Sequence, residues 1–178
     1  MSLRKKTKTL CGLFNATAPD EDLVRLELIN AIFGGCGRSP IIEPPFYCDY
    51  GTNITIGDNF YANHGLVILD GAEVVIGSNV FIAPGVGIHT AGHPVDFDRR
   101  NQGMEYALPV TIGNNAWIGA SATILSGVTI GYNSVIGAGS VVVRDIPANV
   151  IAVGNPCHVI REITSDDAMR NDFRRTRN

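Results

Sequence analysis

The sequence predicts an all-β fold, a parallel β-helix built from hexapeptides, and three observations lead to it. Aliphatic residues recur every six positions, at Ile112, Ile118, Ile124, Ile130, Ile136 and Val142. Small or short residues follow four positions after the first five, at Ala116, Ala122, Val128, Ser134 and Ser140. Glycine directly follows several of the aliphatic residues, as at Gly113 and Gly119. A helix repeats near 3.6 residues and a strand near 2, so a period of six indicates one short strand and one tight corner per repeat.

The same period occurs upstream, at Ile56, Ala62 and Ile68 and again at Ile76, Ile82 and Ile88. Between Ile68 and Ile76 the phase shifts by two, which we interpret as an insertion at a corner. With three faces per coil, each coil takes about 18 residues and adds one strand spacing of roughly 4.8 Å. The segments 54–88 and 110–155 therefore predict four to five coils.

The segments on either side of the repeats lack this period. A basic start, containing Arg4, Lys5, Lys6 and Lys8, is interpreted as a loose arm. Thr17 and Asp20 then indicate a helix start, and the apolar stripe that follows consists of Leu23, Leu26, Ile29 and Phe33. We therefore divide the chain into an arm and one short N-terminal helix over 1–40, a β-helix domain over 41–163 and a charged tail over 164–178.

Composition limits the classes of function. The 178 residues fit one domain, and a net charge of −3 with 17% charged residues gives no case for nucleic-acid binding. The sequence has no long apolar run and no recognisable signal peptide, so we expect a cytoplasmic protein with no membrane partner. Cys11, Cys36, Cys48 and Cys157 are widely spaced, which favours reduced, structural thiols over a metal site.

One segment, residues 89–109, breaks the rhythm with His, Pro, Asp and Arg in place of aliphatic residues. The step from Ile88 to Ile112 is 24 residues, which still divides by six. We interpret the segment as a long excursion loop that leaves the solenoid and rejoins it in phase. Such loops commonly carry function.

The motifs around this loop resemble those of the sugar O-acetyltransferases, of maltose and galactoside acetyltransferase type, in the left-handed parallel β-helix family. The resemblance covers roughly residues 40–163. It rests on Thr90-Ala91-Gly92-His93-Pro94-Val95, Tyr106, Pro109-Val110-Thr111-Ile112-Gly113, Trp117 and Gly154-Asn155-Pro156. It implies an enzyme that moves an acetyl group from acetyl-CoA to a sugar-like hydroxyl, without a metal, and a homotrimer with its sites between neighbouring chains.

Transfer to a hydroxyl requires removal of its proton, and histidine is the side chain best suited to accept it near neutral pH. His93 matches the catalytic histidine of the family and is assigned as general base. Glu105 is expected to accept a hydrogen bond from the far ring nitrogen and fix the tautomer. Asn63 matches the active-site asparagine, which would bind the acceptor or stabilise the tetrahedral oxyanion.

The acceptor and the donor are assigned further residues. Asp49 and Asp70 are expected to contact the acceptor, because carboxylates pair well with vicinal sugar hydroxyls. The family usually has a longer helical segment at the acceptor pocket than this sequence predicts. Resemblance places coenzyme A against Trp117, Ala120, Ala138, Val143, Arg144 and Arg161, with the two arginines at its phosphates.

Three alternatives stay open from the sequence. The acceptor could instead be a polysaccharide, lipo-oligosaccharide or antibiotic hydroxyl, since a few pocket contacts decide it. The chain could be a non-catalytic β-helix scaffold, although His93, Asn63, Trp117 and Arg161 together argue for an enzyme. A zinc carbonic anhydrase would need stacked histidines about 18 residues apart, whereas His64 and His89 are 25 apart.

Overall fold

The computed structural model describes residues 2–169, and these form two N-terminal helices followed by a β-helix whose excursion loop carries a third, short helix. The helices are α1 (Leu3–Asn15), α2 (Asp22–Ile32) and α3 (Phe97–Asn101), with a 3₁₀ turn at Ser165–Met169. Part of the predicted charged tail, residues 170–178, lies outside the described residues, as does residue 1. Within the described part of the chain, no helix is both long and apolar enough to cross a membrane.

Residues 2–169 also contain nineteen short strands. They are β1 (Gly35–Cys36), β2 (Ile41–Ile42), β3 (Phe46–Cys48), β4 (Ile54–Ile56), β5 (Tyr61–Ala62), β6 (Leu66–Leu69), β7 (Val74–Ile76), β8 (Phe81–Ile82), β9 (Gly87–His89), β10 (Ala91–Gly92), β11 (Tyr106–Ala107), β12 (Val110–Ile112), β13 (Trp117–Ile118), β14 (Thr123–Ile124), β15 (Thr129–Ile130), β16 (Val135–Ile136), β17 (Val141–Val142), β18 (Val150–Val153) and β19 (His158–Glu162).

The strands stack into three parallel faces, which confirms the predicted β-helix. The first face contains β1, β4, β7, β12 and β15; the second contains β2, β5, β8, β13, β16 and β18; the third contains β3, β6, β9, β14 and β17. The antiparallel β19 covers the end of the second face beside β18. The first strand lies at Gly35, so coiling begins before the predicted boundary at residue 41.

The six-residue period marks the side chains that fill the coil. Ile112, Ile118, Ile124, Ile130, Ile136 and Val142 are all at most 1% exposed. Small residues such as Ala116 and Ala122 share the interior, where three faces converge and leave little room. Alternation along each strand sends the intervening residues outward.

Coil length differs between the two ends of the solenoid. Ile118 pairs with Ile136, 18 residues on, as predicted. In the earlier coils Ala62 pairs with Ile82 and Cys48 with Ile68, each 20 residues on. The uniform length of 18 is therefore wrong for these coils, which each hold two extra residues.

All the inserted residues lie at one corner, between the third and first faces. This insertion corner consists of residues 49–53, 70–73 and 90–109, in three successive coils. The last of these contains the excursion loop predicted over 89–109, except for His89, which ends β9. Because the strands before and after each insertion keep their register, the coil carries these additions without losing its stacking.

The glycine that follows an aliphatic residue makes room for the neighbouring coil. A Cβ atom built on Gly77 would lie 2.6 Å from the backbone nitrogen of Asn114. The positive φ of the corner falls two residues later, on Asn79, as it does on Asn115. Asparagine tolerates this left-handed conformation better than other non-glycine residues.

The N-terminal segment is two packed helices, where the sequence predicted a loose basic arm and one short helix. The arm is part of α1, whose inner side holds Cys11 and Phe14, at most 2% exposed. Phe14 and Phe33 meet the ring of Phe46 on β3 edge-on, with centroids 6.4 and 5.4 Å away. The helices thus close the open end of the coil and place α1 beside the insertion corner.

The outward side of the second face carries an apolar row. Register stacks Ile41, Tyr61, Phe81, Trp117 and Val135 in successive coils. Ile41, Phe81 and Trp117 are each about half exposed in this chain, at 54, 54 and 55%. The corresponding row of the first face contains Thr55, Val75, Thr111 and Thr129, so it is less apolar than the row of the second face.

Candidate active site

His93 lies just beyond a small hairpin at the base of the excursion loop. Strands β10 and β11 pair antiparallel, with Gly92 opposite Tyr106, and the chain turns outward at His93. The Nδ1 atom of His93 lies 3.1 Å from the carbonyl oxygen of Met104. A carbonyl can only accept, so Nδ1 carries a proton, and in the neutral ring Nε2 then has the free lone pair. The ring is half exposed, and Nε2 is therefore available as a base.

Glu105 does not make the predicted contact. Its Oε1 atom lies 3.9 Å from Nε2 of His93, the nitrogen available to act as the base, and the Met104 carbonyl occupies the position next to Nδ1. A separation of 3.9 Å is too long for a hydrogen bond but close enough for a charge to act on the ring. The tautomer is thus fixed by a backbone carbonyl, and Glu105 stands beside the reactive side.

A small cavity of about 160 Å³ opens next to these groups. Its lining comes from α1, from the insertion corner and from the hairpin, and consists of Arg4, Asp49, Tyr50, Gly71, Ala91, Glu105, Tyr106 and Ala107. Charged and hydroxyl groups stand around its walls, whereas its glycine and alanine residues have little side chain. The cavity is suited to a compact ligand with several hydroxyl groups.

Arg4 is a lining residue that sequence reasoning missed. Its Nε and NH2 atoms lie 2.8 and 2.7 Å from Oδ1 of Asp49, and its guanidinium group lies 5.8 Å from the centre of the Tyr50 ring. The hydrogen bond to Asp49 and the charge of that residue raise the pKa of Arg4. A contact across 45 residues leaves no local pattern in the sequence that could have revealed it.

Asp49 lines the cavity as predicted for an acceptor contact, but Asp70 does not. The Asp70 side chain is fully buried, and its Oδ1 atom accepts hydrogen bonds of 2.9 Å from the backbone nitrogens of Asp49 and Tyr50. It therefore holds the corner that carries Asp49 and does not reach the cavity. Burial raises the pKa of its carboxyl, so its contribution to stability decreases as pH rises through that raised pKa.

We expect Asp70→Ala to destabilise the protein by about 2 to 4 kcal/mol, because two buried N–H groups lose their acceptor. Chemical denaturation at fixed protein concentration measures this. Asp98→Ala, at an exposed position in α3, serves as the control and should change stability little. An Asp70→Ala variant as stable as the control would show that the corner does not depend on this carboxylate.

Thr90 fastens the start of the excursion loop to the preceding coil. Its hydroxyl donates to the carbonyl of Leu69 at 2.7 Å and accepts from the backbone nitrogen of Ala72 at 2.9 Å. The side chain is fully buried. The loop residues that follow, including His93, therefore leave from a fixed point.

Asn63 lies at a different corner of the same chain. It follows β5, between the second and third faces, and its Oδ1 atom accepts a hydrogen bond of 2.8 Å from the backbone nitrogen of His64. The third face separates this second–third corner from the insertion corner, a width of roughly 10 Å or more at about 3.3 Å per residue. Asn63 and His93 thus belong to different edges of the coil.

The residues predicted to bind coenzyme A also divide between edges. Trp117 lies on the second face, and Ala120 and Ala138 lie at the second–third corner, where the nitrogen of Gly139 donates to the carbonyl of Ala120. Val143 and Arg144 lie between the third and first faces instead, after β17.

Arg161 lies on β19 and forms a bidentate ion pair with Asp167, with contacts of 2.7 and 2.8 Å. Within residues 2–169 no group of three His, Cys, Asp or Glu side chains is placed to hold a metal ion.

Comparison with known proteins places this geometry in a family. A family model described as the hexapeptide repeat of succinyl-transferase matches residues 109–144. A Saccharomyces cerevisiae protein assigned to the acetyltransferases is 60% identical over 175 residues, 98% of this chain and 89% of the relative. The galactoside O-acetyltransferase of Escherichia coli K12 is 52% identical over 164 residues, 92% of this chain and 81% of the relative.

This chain belongs to the hexapeptide-repeat acetyltransferases. A solved structure of a galactoside acetyltransferase in complex with coenzyme A superimposes with a TM-score of 0.92, covering 93% of this chain and 83% of that one at 52% identity. The predicted family, fold class and enzyme class are thereby confirmed. The chemistry of the family is acetyl transfer.

Proposed function

We propose that the protein transfers an acetyl group from acetyl-CoA directly to a hydroxyl of a sugar, with His93 as the general base. The observation that carries this proposal is the orientation of His93. Its Nδ1 proton is held by the Met104 carbonyl, which leaves Nε2 unprotonated beside a cavity lined by Arg4, Asp49, Glu105 and Tyr106. Membership of the acetyltransferases supplies the donor class.

The reaction can be followed atom by atom. Nε2 of His93 removes the proton from the sugar hydroxyl as its oxygen attacks the thioester carbonyl carbon. The tetrahedral intermediate collapses, the carbon–sulfur bond breaks, and the imidazolium returns the proton to the sulfur of coenzyme A. The Met104 carbonyl and the Glu105 carboxylate, 3.9 Å from Nε2, both stabilise the positive ring that forms between these steps.

The cavity walls support a sugar acceptor. Asp49 and Glu105 present carboxylate oxygens that accept hydrogen bonds from vicinal hydroxyls, and Arg4 presents a charged donor held in place by Asp49. Asp70 would act as a positioning residue, through the corner that carries Asp49. The small volume favours one sugar ring at a time, such as the galactose ring of a galactoside or one ring of maltose, over several rings of a long glycan.

We further propose that a complete site forms between two chains of a homotrimer. Asn63, Ala120 and Ala138 lie at one edge of the coil, with Trp117 on the adjoining second face, and His93 lies at another edge. A neighbouring copy that covers the half-exposed apolar row of the second face would bring the first edge of one chain to the second edge of the next. In that arrangement Asn63 could stabilise the oxyanion and Trp117 could pack on coenzyme A.

We expect Trp117→Ala to raise the KM for acetyl-CoA about tenfold, equivalent to about 1.4 kcal/mol of lost binding, with a smaller effect on the KM for the sugar. Initial rates at varied acetyl-CoA measure it. Tyr132→Ala removes another half-exposed aromatic ring, at a corner outside the site, and should leave this KM unchanged. A normal acetyl-CoA KM in Trp117→Ala would remove this residue from the donor site.

The proposed function is tested by thiol release from acetyl-CoA across a panel of monosaccharides, disaccharides, polysaccharides, lipo-oligosaccharides and hydroxylated antibiotics. A galactoside or maltose-type sugar should give the highest kcat/KM. Higher turnover on a polymer or a drug would replace the sugar acceptor with that class. Coenzyme A binding without turnover on any acceptor would favour an acceptor outside the panel, and no binding of coenzyme A would favour a non-catalytic scaffold.

A further inference from the structure

Two cysteines far apart in sequence meet where α1 packs on the first coil. The sulfur atoms of Cys11 in α1 and Cys48 in β3 are 3.9 Å apart, and the residues are 2 and 6% exposed. The other two cysteines lie elsewhere, Cys36 in β1 and Cys157 beyond β18. Wide spacing in the sequence predicted unpaired structural thiols, but the fold makes these two neighbours.

We propose that Cys11 and Cys48 are a redox-active dithiol whose disulfide fastens α1 to the edge of the active site. The sulfurs are already in contact, and a disulfide of about 2.05 Å needs them to approach by roughly 2 Å, which rotation of the two side chains and a small shift of α1 supply. Neighbouring bonds keep the helix in register with this strand. Thr7 donates to the carbonyl of Tyr50 at 2.7 Å, and Arg4 pairs with Asp49.

The pair is chemically asymmetric in a way that suits oxidation. The hydrogen bond from the Cys48 thiol lowers the pKa of Cys11 to about 7, and the same bond together with burial raises the pKa of Cys48. Cys11 is therefore the thiolate and the first nucleophile. The nearby carboxylate of Asp70 opposes ionisation of both thiols. The Cys11 thiolate is therefore favoured mainly by the hydrogen bond from Cys48.

The oxidant we name is a small peroxide, since it can enter through local opening of α1. The Cys11 thiolate attacks one peroxide oxygen, the O–O bond breaks, and a sulfenic acid and hydroxide form. The Cys48 thiol then attacks the Cys11 sulfur, the sulfur–oxygen bond breaks, and a second water leaves after proton transfer. Overall, two thiols and one hydrogen peroxide give one disulfide and two waters.

The position of the bridge connects it to the proposed acceptor cavity, and in this respect the inference rests on the proposed function. Helix α1 supplies Arg4, and β3 leads directly into Asp49 and Tyr50. In the oxidised protein, the part of the cavity wall that α1 supplies and the part that follows β3 would be joined covalently. The formation of the bridge itself depends only on Cys11 and Cys48, so it can be tested independently of any activity.

The test is thiol mapping of the full chain after treatment with hydrogen peroxide, by alkylation and peptide mass spectrometry. Two of the four thiols should be lost, with a linked peptide pair containing Cys11 and Cys48, and dithiothreitol should restore them. Cys36→Ser and Cys157→Ser should behave as wild type, while Cys11→Ser and Cys48→Ala should form no bridge. Loss of thiols without this linked pair, or no loss at all, would overturn the proposal.

A second measurement tests whether the disulfide holds α1 against the coil. The oxidised protein should melt about 5 to 10 °C higher than the reduced protein, and the amides of α1 should exchange with solvent more slowly. Catalytic activity plays no part in either measurement, so failure of the sugar acetylation proposal would leave these results unaffected. A bridge that formed without slowing exchange in α1 would refute its role as a fastener.

Discussion

Replacing His93 with alanine is expected to lower kcat for acetyl transfer by about 10²- to 10⁴-fold, the usual contribution of a general base. The half-exposed ring makes a single hydrogen bond within residues 2–169, to the Met104 carbonyl, so the fold should persist. Coenzyme A binding should also persist, because the ring lies outside the row that contains Trp117. Steady-state rates and calorimetric binding of coenzyme A measure the two effects.

Two further variants isolate the role of the base. His93→Asn retains an N–H group near the Met104 carbonyl but has no basic nitrogen, and it should lose as much activity as the alanine variant. Arg99→Ala changes an exposed side chain in the same loop and should retain wild-type rates. Activity in His93→Asn within a few-fold of wild type would mean that proton removal is not the work of this residue.

Phe46→Ala is expected to destabilise the protein by about 3 to 5 kcal/mol. The ring is 1% exposed and lies between Phe14 of α1 and Phe33, so its loss leaves a cavity between the helices and the first coil. Denaturant unfolding at fixed protein concentration measures the change, since assembly would make stability depend on concentration.

The matched control for this variant is Phe97→Ala, which removes the same side chain from α3, where it is 60% exposed. It should lower the free energy of unfolding much less than Phe46→Ala does. Near-equal losses in the two variants would contradict the view that the aromatic cluster around Phe46 holds the helices on the coil. A large loss of stability only in Phe46→Ala would confirm that this cluster holds α1, the helix that carries Arg4, against the coil.

The interior of the solenoid could be predicted almost residue by residue. A six-residue period is set by local geometry, because each face must send one aliphatic side chain inward before the next corner. Ile112 through Val142 therefore occupy the positions expected of them. Coil length in the earlier turns was less predictable. A phase shift of two shows that one corner has an insertion, but it does not show that the same corner is extended in neighbouring coils.

Helix α1 was missed because its charges were given more weight than its spacing. Thr7, Cys11 and Phe14 lie four and three positions apart, which is the helical interval, and all three are buried. That pattern is present in the sequence, but the lysines and Arg4 around it are typical of a solvated arm. The apolar side stabilises the helix only once β3 provides a surface on which it packs.

The site was predictable where chemistry follows a local motif and not where it depends on distant contacts. The loop sequence around His93 indicates the position of this residue. The orientation of its ring depends on the Met104 carbonyl, which no sequence motif indicates. The pairing of Arg4 with Asp49 and the burial of Asp70 arise from contacts 20 to 45 residues apart. Such contacts exist only after the coil has stacked.

The most direct test of the central claim is mass-spectrometric detection of an acetylated sugar after incubation of the protein with acetyl-CoA and a galactoside or maltose. One O-acetyl group is expected on the sugar, formed by the wild type and lost in His93→Ala. Coenzyme A release without an acetylated sugar, or equal product from the two proteins, would contradict it.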